Sequence, residues 1–220
     1  QPVRSGLQKL AVAYRQQQAM STASPNHDIA EVLPIDPRPA VAQGGTRLNL
    51  MVPAVSQRHV FGGIETALQV FDALRPYFDQ ARIIVTDEAT PEPRSDAYYG
   101  AWPIVPMASE SPPCDHIVAA GSRWGQTLAV HAQDHFMATA WWTAHNAFAL
   151  LNWQRAQVPE ASARRLLYLI QDYEPGFYPW SSRYLLAQAT YEQPGRTIAL
   201  MNSHWLADYL AAQGYAFPVK

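Results

Sequence analysis

The chain has 220 residues, 48% hydrophobic and 15% charged, enough to bury one sizeable core but short for two average domains. A formal charge of -2 gives no bulk electrostatic reason to bind nucleic acid. A single cysteine, Cys114, excludes an internal disulfide.

From the amino end, residues 1–46 differ in kind from the rest. Gly6 to Met20 can form one helix, with Leu7, Leu10, Ala11 and Tyr14 on a shared face. Pro25, Pro34, Pro37 and Pro39 then follow in a stretch with no sustained period. We expect an N-terminal arm with one helix and a Pro-rich linker over 1–46, and a folded domain over 47–220.

The domain opens on a nearly continuous apolar strand, Leu48 to Ala54. A loop carrying Gly62 and Gly63 follows, then a helix from near Gly63 to about Phe78. Such a strand suits a parallel sheet covered on both faces, and a glycine turn feeding a helix offers unpaired N–H groups to an anion. A tight turn needs the same glycines for backbone reasons alone.

Further strands are expected at Ala81–Thr86, Asp115–Ala120, His135–Thr139, Leu166–Gln171 and Thr197–Met201, with a surface loop at Asp87–Ser95. Helices are expected at Ser122–Ala132 and Trp141–Arg155, from Ser181 or Ser182 to about Glu192, and at His204–Gln213, closed by Gly214. Another strand starts at Tyr215–Phe217. With an amino end lacking methionine, this leads us to expect that both ends are cut. Strands separated by helices mean βα units, hence an α/β, Rossmann-like, mostly parallel sheet with helices on both faces. Ligands of such sheets bind at the carboxyl ends of the strands, where Gly62-Gly63, Thr139–Trp142, Gln171–Glu174 and Asn202-Ser203 fall.

Around these ends, Trp141, Trp142, Tyr173, Phe177, Tyr178 and Trp180 can stack on sugar faces or pack as core. His59 and His145 are candidates for the cleft, with surface or packing roles as the alternative. Glu65 and Glu174 are the carboxylates best placed to act there, and a first-turn acid also serves the helix dipole. His131 and His135 lack a third ligand, so no metal is expected. Ser122, Ser181 and Ser203 read as helix caps.

The segments VPAVSQRHVFGGIET, ATAWWTAHNA and YLIQDYEPGFYPWSSRYLLAQATY together resemble the N-terminal half of bacterial rhamnosyltransferases of the WsaF type, a branch of the GT-B glycosyltransferases related to family 4. The resemblance runs from about Arg47 to the end. It implies two facing Rossmann-like halves, of which the absent C-terminal one holds most of the donor and this one gives the acceptor side. Gly62, Gly63, Ile64 and Glu65 match the loop that reaches the donor diphosphate. His59, Trp141, Trp142, His145, Gln171, Asp172, Tyr173 and Glu174 are the acceptor and cleft candidates. Many relatives carry His-Asp where this chain has Gln171-Asp172, so a histidine role at that place does not carry over. The implied substrates are a nucleotide-sugar donor, dTDP-rhamnose, and a surface glycan acceptor. Transfer would retain configuration, without metal or other cofactor, in the cytoplasm or at the inner face of its membrane. A non-catalytic glycan- or nucleotide-binding module, and an interaction domain docking a separate catalytic subunit, are the alternatives.

Overall fold

A computed structural model describes residues 29–41, 44–60, 62–158 and 164–218. The helix expected over Gly6–Met20 lies outside them. The chain divides after Leu33 into two compact units, and of the first the described part is a short 3-10 turn, Ala30–Val32, with its flanking residues.

The second unit is built on alternation. In β2 (Arg47–Val52), Leu48, Leu50 and Val52 point to one face and Arg47, Asn49 and Met51 to the other, with every residue buried. In β3 (Gln80–Val85), Ala81, Ile83 and Val85 share the face of Leu48, while Arg82 and Ile84 share that of Met51. Helix α1 (Gly62–Leu74) covers the Leu48 face with Ala67, Leu68 and Phe71. Helix α2 (Trp141–Gln157) covers the Met51 face with Ala144, Ala147, Phe148 and Leu151. Burial on both sides explains why these strands read as unbroken apolar runs.

The other strands of the main sheet are β4 (Ile104–Pro106), β5 (His116–Ala119), β7 (Asp134–Ala138), β8 (Leu166–Ile170) and β9 (Thr197–Met201), and two further helices are α3 (Ser182–Tyr191) and α4 (His204–Ala212). Seven strands form one sheet in the order β4-β5-β3-β2-β7-β8-β9, every pair parallel. With the edge strand β4 set aside, this is the doubly wound order 3-2-1-4-5-6, whose direction reverses between β2 and β7. Ser181 and Ser203 cap α3 and α4 by accepting from the N–H groups of Tyr184 and Leu206. No helix among the described residues is long and apolar enough to cross a membrane.

Several expected elements differ. Ser122–Ala132 is not a helix: two turns, with Gly125 at a φ of 69°, lead into strand β6 (Thr127–Val130). Ser122 therefore caps nothing. Strand β6 pairs in parallel with β1 (Asp36–Pro39), inside the stretch expected to be linker. Proline tolerates this place because a two-stranded ribbon is all edge, and Ile35 anchors the segment in the core. Helix α1 ends at Leu74, two residues before Pro76, and a 3-10 turn finishes the segment. Tyr215–Phe217 is not a strand. The Tyr215 N–H closes on the Leu210 carbonyl after α4, and Phe217 packs into the core.

At the amino ends of β2, β3 and β7 lies a buried polar network. Arg47 grips Asp134 with two bonds, Nε to Oδ1 at 2.6 Å and Nη2 to Oδ2 at 2.7 Å. Arg82 donates to Asn49 Oδ1 at 2.5 Å and to the Ala129 carbonyl of β6 at 2.8 Å, and reaches Asp134 at 3.5 Å. Burial, then the charge of Arg47, pulls the Arg82 guanidinium down to about 9. For Asp134 burial works against ionisation, but the two arginines win and hold the carboxyl below its ordinary value.

Candidate functional site

A cleft of about 720 Å³ opens at the carboxyl ends of the strands, at the reversal between β2 and β7. From the β2 side it is lined by Pro53 and by Gly62, Gly63, Ile64 and Thr66 of the first turn of α1. Thr139, Ala140 and Trp142 follow β7. Gln171, Asp172, Glu174 and Phe177 follow β8, and Asn202 follows β9. The first turn of α1 and the ends of four parallel strands thus converge on one space. Among the described residues no lysine or arginine lines it, whereas two carboxylates do.

The glycine loop has a backbone reason and a contact reason. Gly62 takes a φ of 23°, strained for any residue with a side chain. Gly63 lies under Gln171: a Cβ there would stand 3.1 Å from Gln171 Nε2, which donates to the Gly63 carbonyl at 2.8 Å. Gln171 thereby ties the end of β8 to the start of α1, and its own carbonyl accepts from Asn202 Nδ2 at 3.3 Å. The first N–H groups of α1 have no partner within the helix, and the dipole adds positive potential there.

Helix α2 starts against the same cleft. Thr143 Oγ1 accepts from the N–H groups of Thr139 and Ala140 at 3.1 and 3.0 Å. The N-cap residue, Ala140, has no side-chain acceptor, and from the other side the Trp141 backbone favours the ionised form of the Glu174 carboxyl. Tyr168 Oη donates to Glu174 Oε2, at 3.3 Å. Burial outweighs both influences and pushes the Glu174 carboxyl up to about 7.

That value has a stability consequence. Between about 4.5, where the unfolded carboxyl titrates, and about 7, the folded chain binds the extra proton, so stability falls as pH rises through this window. The loss persists above it. Glu174→Gln is expected to stabilise the chain by about 2–3 kcal/mol at pH 8 and to make little difference at pH 4. Urea unfolding of both proteins at the two pH values checks this; equal gains at both would exclude ionisation as the cause.

Not every candidate reaches the cleft. Gly62, Gly63, Ile64, Trp142, Gln171, Asp172 and Glu174 line it together. Trp142 Nε1 donates to Asp87 Oδ2 at 3.1 Å, which fixes the ring at the rim. Trp141 is fully buried, with Nε1 on Tyr178 Oη at 3.0 Å, so its indole packs rather than stacks on ligand. Tyr173 belongs to an aromatic group with Tyr191, Tyr209 and Tyr215, and its Oη meets that of Tyr215 at 3.1 Å. Glu65 lies on another side of α1, in a smaller cavity with Arg94, Asp96 and Tyr98. His59 sits in the turn after Ser56, its Nδ1 2.5 Å from Glu88 Oε1. Burial raises the Glu88 carboxyl, but the His59 bond and the Val55 and Ser56 N–H groups outweigh it and hold it below its ordinary value. His145 does not line the cleft, and burial pulls its imidazole down.

Sequence reasoning passed over Asp87 and Tyr168 as site residues. Their roles depend on contacts between segments far apart in the chain, and no local pattern carries them. Among the described residues no group of three His, Cys, Asp or Glu side chains is placed to hold a metal ion.

No curated protein sequence matches the chain. The family described as "WsaF, N-terminal domain" matches residues 47–204, which span β2 to the first residue of α4 and contain every cleft-lining residue. With its glycine loop, its reversal-point cleft and most of its length inside that match, the chain belongs to the WsaF N-terminal domain family, a glycosyltransferase-related N-terminal domain.

Proposed function

We propose that this domain is the acceptor side of a nucleotide-sugar-dependent glycosyltransferase, one that moves L-rhamnose from a dTDP-linked donor to a surface polysaccharide. The observation that carries the reading is the character of the cleft. Among the described residues it presents carboxylates, amides and the exposed ring of Phe177 to a ligand, and no cationic side chain. Such walls suit a neutral, many-hydroxyl ligand with apolar C–H faces, and they repel a diphosphate everywhere except at the backbone N–H groups of α1. The donor is then gripped by a second Rossmann half, with the glycine loop touching its diphosphate across the gap. In this reading the domain works by placement, holding an acceptor hydroxyl against the anomeric carbon and excluding water. The leaving charge is met by dipoles and by basic side chains of the other half rather than by a metal. The enzyme acts on the cytoplasmic side, at or near the membrane where surface glycans are built.

Isothermal titration of the 220-residue chain tests this directly. A rhamnose-containing oligosaccharide is expected to bind in the millimolar range and dTDP-rhamnose more weakly still. Micromolar binding of dTDP or dTDP-rhamnose by this chain alone would overturn the acceptor-side assignment.

A further inference from the structure

Glu174 differs from the other polar groups of the cleft in how it is held. It lines the cleft, yet its carboxylate is already engaged from inside by the Tyr168 hydroxyl, which donates to Oε2 at 3.3 Å. A carboxylate has about four lone-pair sites, so this donor orients the group and leaves acceptor capacity for a further partner. The open cleft is where that partner can come from. Beside it stand Phe177, 59% exposed and able to take a sugar's apolar face, and Asn202, able to serve a neighbouring hydroxyl.

We propose that Glu174 is a hydroxyl-binding switch: its carboxylate accepts a hydrogen bond from a sugar hydroxyl and releases that hydroxyl when it takes up a proton. This rests on the reading of the cleft as a sugar site and adds its regulation by pH. An ionised acceptor makes the stronger bond, and a protonated carboxyl both loses the charge and spends one oxygen as a donor.

The surroundings set the range. On its own loop the nearest charge is Asp172, which opposes ionisation of Glu174. From β8 and α3 the phenols of Tyr168 and Tyr191 face it, and burial keeps both neutral to well above their ordinary value. Helix α2 presents the Trp141 N–H and no acidic side chain in its first turn; its next titratable group, His145, is held neutral at pH 7 by burial. Helix α1 presents Gly62–Thr66, with Glu65 in a separate cavity, and β9 presents the uncharged Asn202. The balance leaves Glu174 titrating at about 7, inside the physiological range.

The test uses the 220-residue chain labelled with 15N, with methyl α-L-rhamnopyranoside as probe and Kd read from amide shifts between pH 5.5 and 8.5. In the wild-type chain Kd is expected to fall roughly tenfold as pH rises, and in Glu174→Gln to stay weak and flat. An independent reading needs no variant. The 13Cδ titration midpoint of Glu174 should drop by about one pH unit at saturating glycoside, the reciprocal of the tenfold effect. Equal pH dependence in both proteins, or an unmoved midpoint with the glycoside bound, overturns the switch and leaves the sugar site standing. Absence of any cleft shift at every pH overturns the sugar site and the switch together.

Discussion

Asp134→Asn is expected to lower the thermal midpoint by roughly 10 °C or more, the largest stability loss available from a single isosteric change in this chain. Asp134 is fully buried and, among the described residues, is the carboxylate that holds both Arg47 and Arg82, themselves 2% and 0% exposed. Removing its charge strands two guanidinium groups in a low dielectric. Breaking a buried pair in this way costs about 3–5 kcal/mol. That is a large share of the roughly 5–15 kcal/mol by which domains are stable. Asn keeps the shape and part of the bond to the His131 N–H, so the loss isolates charge from packing. Thermal unfolding followed by circular dichroism gives the answer. A midpoint within about 2 °C of wild type would mean that water or rearrangement satisfies the arginines. Adding Arg82→Met to Asp134→Asn should recover part of the loss, because the stranded charge is then halved.

Gly63→Val is expected to reduce sugar transfer at least 100-fold in an enzyme that joins this domain to its second half, while leaving the fold intact. The first atom of any side chain at Gly63 comes within 3.1 Å of Gln171 Nε2, and the branches of valine go further. Gln171 is then pushed off its place on the Gly63 carbonyl, which is expected to weaken the tether between the first turn of α1 and β8. A displacement on the order of 1 Å at a positioning group is enough for such a loss in rate. Gly63 is exposed and lies outside the core, so the unfolding midpoint should move little. Transfer rates and thermal melts of the two proteins, compared side by side, decide it. Unchanged turnover would remove the glycine loop from the mechanism.

The sheet was legible wherever a strand is buried on both faces. LNLMV, ARIIV, HIVA and LLYLI carry their burial in composition, and their separation by helical stretches is enough to imply parallel βα units. The strands that escaped notice are β1, β4 and β6. Two of these contain proline, none exceeds four residues, and β1 and β6 pair only with each other at the margin of the fold. TLAV, apolar and short, fits a helix turn as well as a strand until its partner is known.

The cleft was legible from topology, because strand ends mark it before any side chain is placed. Individual side chains were less so. Trp141 and Trp142 are neighbours in sequence, yet the helix that starts there buries one and sends the other to the rim. Arg47, Arg82 and Asp134 gave no sign of burial, since a charge in a strand reads as a solvent-facing position until an opposite charge meets it. That meeting is set by register, with Arg47 beside both Gln80 and Asp134.

Arg47 and Asp134 are separated by 87 positions along the chain. A sheet holding β2 and β3 without β7 would carry Arg47 and Arg82 without Asp134 on the face that α2 covers. Such a sheet would keep water on that face, because drying two unpaired guanidinium groups is costly. The ion network thus makes burial of the Met51 face depend on β7: without that strand, closing the face would mean burying two uncompensated cations.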